Sequence, residues 1–128
     1  MSYYFAKTLK IGFDDAVNRT TEALKKEGFG IIMEIDVKAT LKKKIDVDFR
    51  NYRILGACNP SLAYEALQIE DKVGTMLPCN VVVQDIGNGT VEVAAIDPVA
   101  SMQAIDNPRL KQAAERVREK LKGAISSL

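Results

Sequence analysis

The chain has 128 residues, 47% of them hydrophobic and 27% charged, with a formal net charge of +1. That length suits one domain able to bury a core without staples, and the near-neutral balance removes the simplest electrostatic case for nucleic acid or an anionic membrane surface as a partner. Histidine is absent, which excludes Ser-His-Asp and Cys-His nucleophile pairs and any metal site that uses imidazole.

No apolar run approaches the length needed to span a bilayer, and the opening MSYYFAKTLKIGF lacks the pattern of a secretory leader. A cytoplasmic location is the expectation. There the two cysteines, Cys58 and Cys79, would stay reduced.

Residues 2–9, SYYFAKTL, read as a first strand. From Phe13 the period changes: Phe13, Val17, Thr20 and Leu24 form one stripe of an amphipathic helix. Asp14 and Asp15 suit its positive end, and Gly28 suits a left-handed stop. IIMEIDV, residues 31–37, reads as a second strand. Residues 38–50 allow a short helical turn in ATLKKKI and a connection in VDFRNY. A third strand, YRILGA, spans 52–57.

Asn59 makes a good helix cap and Pro60 a good first helical residue, leading a helix with Leu62, Ala66 and Ile69 on one side. Residues 71–77 read as a loop. CNVVVQDI and TVEVAAI are strands joined by the Gly87-Asn88-Gly89 turn. Asp97-Pro98 ends the second of them and starts a short helical turn, PVASMQAI. Asn107-Pro108 caps a last helix whose inner face carries Leu110, Ala114, Val117, Leu121 and Ile125.

The order strand, helix, strand, strand, helix, strand, strand, helix fits a single α+β domain over residues 1–128. A mainly antiparallel five-stranded sheet with helices on one face satisfies it best. Its third and fourth strands could form an antiparallel meander, placing Cys58 and Cys79 at one end of the sheet. A parallel crossover would put them at opposite ends.

Each cysteine precedes an asparagine, in ILGACNP and LPCNV. Cys58 sits before a helix N-terminus, where a thiolate is favoured, although an unpaired cysteine often acts as a small buried apolar group. The repeated Asn-Pro and Asp-Pro pairs point to a shared capping role for Asn59 and Pro60, which leaves Asn80 unexplained. A soft metal held by both sulfurs, with Met76 nearby, would lack ligands for a tetrahedral site and need a partner chain. Lys42, Lys43 and Lys44, followed by Arg50 and Arg53, read as a solvated face because Asp46 and Asp48 intervene. Glu34, Asp36, Asp46 and Asp48 could form an acid–base pair only if buried.

The segments KKKIDVDFRNYRILGACNPSLAYEAL and GTMLPCNVVV resemble the bacterial and archaeal family called Domain of Unknown Function 302. The matching positions run from Leu55 to Pro60, through Ala63 and Leu67, and from Leu77 to Val81. The resemblance implies a TATA-box-binding-protein-like α+β fold and a meander that brings the two cysteines to one end of the sheet. It implies no established activity, and the cofactor is unknown.

Three functional readings follow. Cys58, Asn59, Pro60, Cys79 and Asn80 could frame a pocket for a small molecule, a thiol-reactive species or a soft metal, in a binding or sensing module. Cys58 and Cys79 could cycle between dithiol and disulfide in a redox enzyme. Or the motifs could serve only the fold and a homodimer interface. An exposed sheet edge makes the homodimer the default expectation under any of them.

Overall fold

The computed structural model of the protein describes residues 2–128. Its strands are β1 (Tyr4–Leu9), β2 (Gly30–Asp36), β3 (Tyr52–Cys58), β4 (Cys79–Gly87) and β5 (Thr90–Ile96). The helices are α1 (Phe13–Lys26), α2 (Val37–Ile45), α3 (Pro60–Ile69), α4 (Pro98–Ser101) and α5 (Pro108–Ser126), with a 3-10 turn at Asp71–Met76. All five strands join one antiparallel sheet in the order β1-β5-β4-β3-β2. The architecture is the expected α+β one. Because β3 pairs antiparallel with β4, Ala57 lies opposite Cys79, and the meander, not the crossover, is what forms.

Local chemistry explains the element boundaries. At the end of α1 the Phe29 N–H donates to the Leu24 carbonyl at 2.9 Å and the Gly28 N–H to the Lys25 carbonyl at 3.0 Å. Gly28 adopts the positive φ of 87° that this Schellman closure requires. Three helices begin with the same device, a carboxylate or amide before proline. Asn59 Oδ1 accepts from the Leu62 N–H, Asp97 Oδ1 from the Val99 N–H, and Asn107 Oδ1 from the Arg109 and Leu110 N–H groups.

Some boundaries differ from the sequence expectation. The second strand stops one residue sooner, because the Asp36 side chain accepts from the Ala39 N–H at 2.9 Å and starts α2. That helix is a full nine residues and not a short turn, closed by Asp46 at a left-handed φ of 53°. The loop at 71–77 is mostly a 3-10 turn, and the helical turn after Asp97 is only four residues long. The first strand begins at Tyr4, and the third runs on to Cys58.

The sheet has two unlike faces. Leu55, Ala57, Cys79, Val81, Val83, Val91, Val93 and Ala95 point under α1 and α5 and form the main core with Leu24, Phe29, Leu121 and Ile125. Burial of each such Val, Leu or Phe is worth about 1.5–3 kcal/mol. A second cluster, Ala66, Val73, Met102, Leu110 and Ala114, lies between α3, the 3-10 turn, α4 and α5. On the opposite face the central side chains are half-buried or exposed, with Phe49 and Arg50 lying against Tyr52 and Gln84 at one end. Across its middle run Ala6, Ala94, Val82, Ile54 and Ile35, one from each strand.

Candidate functional site

Where the two core clusters fail to merge, they leave a cleft of about 360 Å³. Ala57, Cys58, Pro78 and Cys79 line it from the sheet, Phe29 and Ile32 from the β2 side, and α3 and α5 from the helical layer. Alanines make the space: Ala63 and Ala66 of α3, and Ala113 and Ala114 of α5, all face it. The two helices are braced apart. Asn107 Nδ2 donates to the Ile69 carbonyl at 3.4 Å, and Arg116 pairs with Glu65 across the same gap. A volume of this size holds roughly a dozen waters, at the small end of ligand-binding cavities.

Among the sequence candidates, Cys58, Asn59 and Cys79 share this cleft. Pro60 is exposed as the first residue of α3 and does not line it. Asn80 lies on the other side of the sheet, where it lines a separate depression of about 350 Å³ with Tyr52, Val82 and Gln84. The expected five-residue pocket containing both asparagines therefore does not form. The reason is strand parity: Cys79 and Asn80 are consecutive in β4, so one pointing inward sends the other outward. Cys58 and Asn59 escape that rule because the strand ends between them.

The two thiols are free and differ in environment, Cys58 half-buried and Cys79 buried. Burial, and secondarily the adjacent Cys58, push the Cys79 thiol from 9.0 up to about 11. At neutral pH it is a protonated, weakly nucleophilic group. Asn59 has structural duties at both ends of its amide: Oδ1 caps α3, and Nδ2 sits over Gly28, 2.9 Å from where a Cβ would stand.

No charged side chain lines the cleft. The candidate carboxylates lie elsewhere and are exposed; Glu34 and Asp36 pair with Arg53 at 2.8 and 3.7 Å, and Asp46 and Asp48 with Lys42 at 2.9 and 3.4 Å. Arg50 stacks on Phe49 and donates to Gln84 Oε1 at 2.9 Å. Among the described residues no group of three or more His, Cys, Asp or Glu side chains could hold a metal ion, so a soft metal would find two sulfurs from this chain. Among the same residues no helix is long and apolar enough to cross a membrane. The sequence reading missed the cleft walls, notably Leu62, Leu67, Met102 and Ala113. Periodicity marked Leu62 as inward-facing but not Leu67, Met102 or Ala113, and it could not mark the space between the helices.

No curated protein matches the chain. A solved structure described as "Crystal structure of uncharacterized conserved protein DUF302 from Bacillus stearothermophilus" superposes with a TM-score of 0.90 at 29% identity, covering 98% of each chain. The family described as Domain of unknown function DUF302 matches residues 5–128. The chain belongs to the DUF302 family, whose function is not established.

Proposed function

We propose that this domain is a binding or sensing module for a small, neutral, largely apolar molecule, held in the cleft with Cys58 and Cys79 as its soft contacts. The observation that supports this reading is the cleft itself: a braced cavity of about 360 Å³ whose lining contains no charge and whose only titratable groups are the two thiols. A phosphorylated or carboxylate ligand would lose its hydration there with no cation to replace it. A neutral molecule of about a dozen non-hydrogen atoms would lose little and bury apolar surface. The reading carries with it a reducing, cytoplasmic setting in which both thiols stay free.

The redox reading is supported by the two free thiols lining the same cleft. A dithiol–disulfide cycle would have to begin at Cys58, because Cys79 holds its proton.

Titration of ¹⁵N-labelled protein with indole and with 1-octanol tests the binding reading. Saturable amide shifts confined to residues 28–33, 57–67, 74–79, 99–103 and 110–117 are expected, and Ala63→Trp, which fills the cleft from α3, should abolish them. Probes that give no saturable shift, or shifts unaffected by Ala63→Trp in a folded variant, would refute it.

A further inference from the structure

The outer face of the sheet is half-exposed across its middle and carries its own pattern. Along the row that crosses all five strands, side-chain size rises in one direction: Ala6, Ala94, Val82, Ile54, Ile35. β4 is the middle strand of the sheet and Val82 the middle of the row. We propose that a second copy of this chain covers this face, related to the first by a two-fold axis running along β4. Such an axis sets Val82 against Val82, Ala94 against Ile54, and Ala6 against Ile35. Each small residue meets a large one, so the gap between the two sheets stays even.

The flanking rows obey the same operation. Toward the cysteine end, Tyr4 pairs with Ile96, and Asn80 with Gly56, which pairs with Met33. Gly56 is buried under Pro78 and Met33 of its own chain, so on this flank the axis brings Ile96 against that Pro78–Met33 cover, Tyr4 over Met33, and Asn80 onto its own copy, where two carboxamides can exchange hydrogen bonds. On the other flank, Glu92, Gln84 and Tyr52 adjoin one another. Glu92 accepts from Gln84 Nε2 at 3.1 Å and has no ion-pair partner among the described residues. The operation places the Tyr52 hydroxyl of the second copy, a donor, against this carboxylate.

Shape agrees with chemistry. The depression of about 350 Å³ lies over Val82 and Ala94, walled by Tyr3 and Tyr4 on one side and Tyr52 on the other. It sits on the small-residue half of the row, where the axis delivers Ile54 of the second copy. An arbitrary partner would not explain why the row is graded; an isologous one requires such self-complementarity.

The area is sufficient. Five strands at about 4.8 Å spacing and three side-chain rows about 6.7 Å apart give roughly 480 Å² per copy. Two copies reach the ~1,000 Å² that marks a specific interface, before Tyr3 and Ile86 at the rim are counted. The two sheets would stack in the aligned manner, with the two β4 strands parallel and ~10 Å between backbones. This interface uses the face of the sheet, whereas the sequence had suggested an edge. It also gives Asn80, which the cleft leaves out, a place at the symmetry axis.

Sedimentation equilibrium of the full chain tests the proposal. The expected mass at about 100 µM is twice the 14.1 kDa of one chain. Val82→Glu puts two carboxylates together at the axis and should return the mass to that of one chain, with an unchanged far-ultraviolet circular dichroism spectrum. A second test does not depend on introducing a charge. Ala94→Ile sets isoleucine against Ile54 at two symmetric places and should weaken dimerisation at least about thirtyfold. Combining it with Ile54→Ala exchanges small for large and should restore the dimer to within about threefold of the parent. Ala94 and Ile54 are separated by β4 within one chain, so rescue reports contact between copies. A chain that is monomeric at about 100 µM, a dimer indifferent to Val82→Glu, or a double variant no tighter than Ala94→Ile alone would each overturn the proposal.

Discussion

Cys79 makes stability depend on alkaline pH in a direction that can be worked out. Only 6% of it is exposed, and its folded pKa stands at about 11 against an ordinary 9.0. Below pH 9 the thiol is protonated in both the folded and unfolded chains and adds no pH dependence. Between pH 9 and 11 the unfolded chain releases the proton while the folded chain keeps it. Stability therefore falls as pH rises, by about 1.4 kcal/mol per unit and about 2–3 kcal/mol over the interval, then levels off above the folded value. Tyrosines and lysines titrate over the same range, so the informative quantity is a difference from Cys79→Ala, which retains them. Urea unfolding midpoints measured at pH 8, 9, 10 and 11 under reductant should show wild type losing that extra stability. The variant starts lower because the core has lost a sulfur atom, and the two curves should converge. Cys58→Ala should shrink the loss without removing it, because burial is the larger cause and the neighbouring thiol the smaller. Parallel curves for wild type and Cys79→Ala would refute the burial of this thiol and, with it, the sheet-side wall of the cleft.

Two glycine substitutions test the frame around the site. Gly28→Ala forces a Cβ into a φ of 87° and within 2.9 Å of Asn59 Nδ2, whereas Gly87→Ala meets nothing within 4 Å at a φ of 88°. Urea denaturation should give about 1 kcal/mol of destabilisation for Gly87→Ala and about 1–3 kcal/mol for Gly28→Ala, the excess being the displaced α3 cap. Equal losses would show that Asn59 does not rest on Gly28. At Gly56 a new Cβ would stand 2.8 Å from Pro78 Cγ and 3.1 Å from Met33 Cβ. The proline ring cannot swing aside as a free side chain can, so Gly56→Ala should cost about 1–3 kcal/mol by overpacking; a midpoint within error of wild type would contradict that register of β2, β3 and β4.

Much of the fold is written in short-range chemistry that needs no knowledge of the rest of the chain. The Gly28 stop and the caps at Asn59, Asp97 and Asn107 work through bonds to residues two to five positions away. That is why a single sequence exposes them. α2 is the counterexample. None of its residues is buried, so no apolar stripe marks it, and its ends depend on a side-chain bond from Asp36 and a left-handed Asp46. Hydrophobic periodicity reports burial, and a helix without burial gives it nothing to report. The family resemblance supplied the meander that periodicity left open, and with it the meeting of the two cysteines.

The candidate site was half legible for a reason that lies in the two Cys-Asn pairs themselves. They look alike as text, but one spans the boundary between a strand and a helix and the other lies inside a strand. In β4 the alternation of side chains forbids Cys79 and Asn80 from serving the same face. At the end of β3 the chain turns into α3, and Cys58 and Asn59 can both reach the cleft. The same alternation separates two roles across one sheet. Inward-facing Cys79 belongs with the alanine-lined space between α3 and α5, and outward-facing Asn80 belongs with the graded row that a second copy would cover. A substitution at either position should therefore move one property and spare the other. Cys79→Ala should alter the alkaline stability and leave the oligomeric state unchanged. Asn80→Asp, which sets like charges against each other at the axis, should weaken dimerisation and leave indole binding in the cleft intact. If Asn80→Asp abolished cleft binding while the dimer persisted, the assignment of the two faces would be wrong.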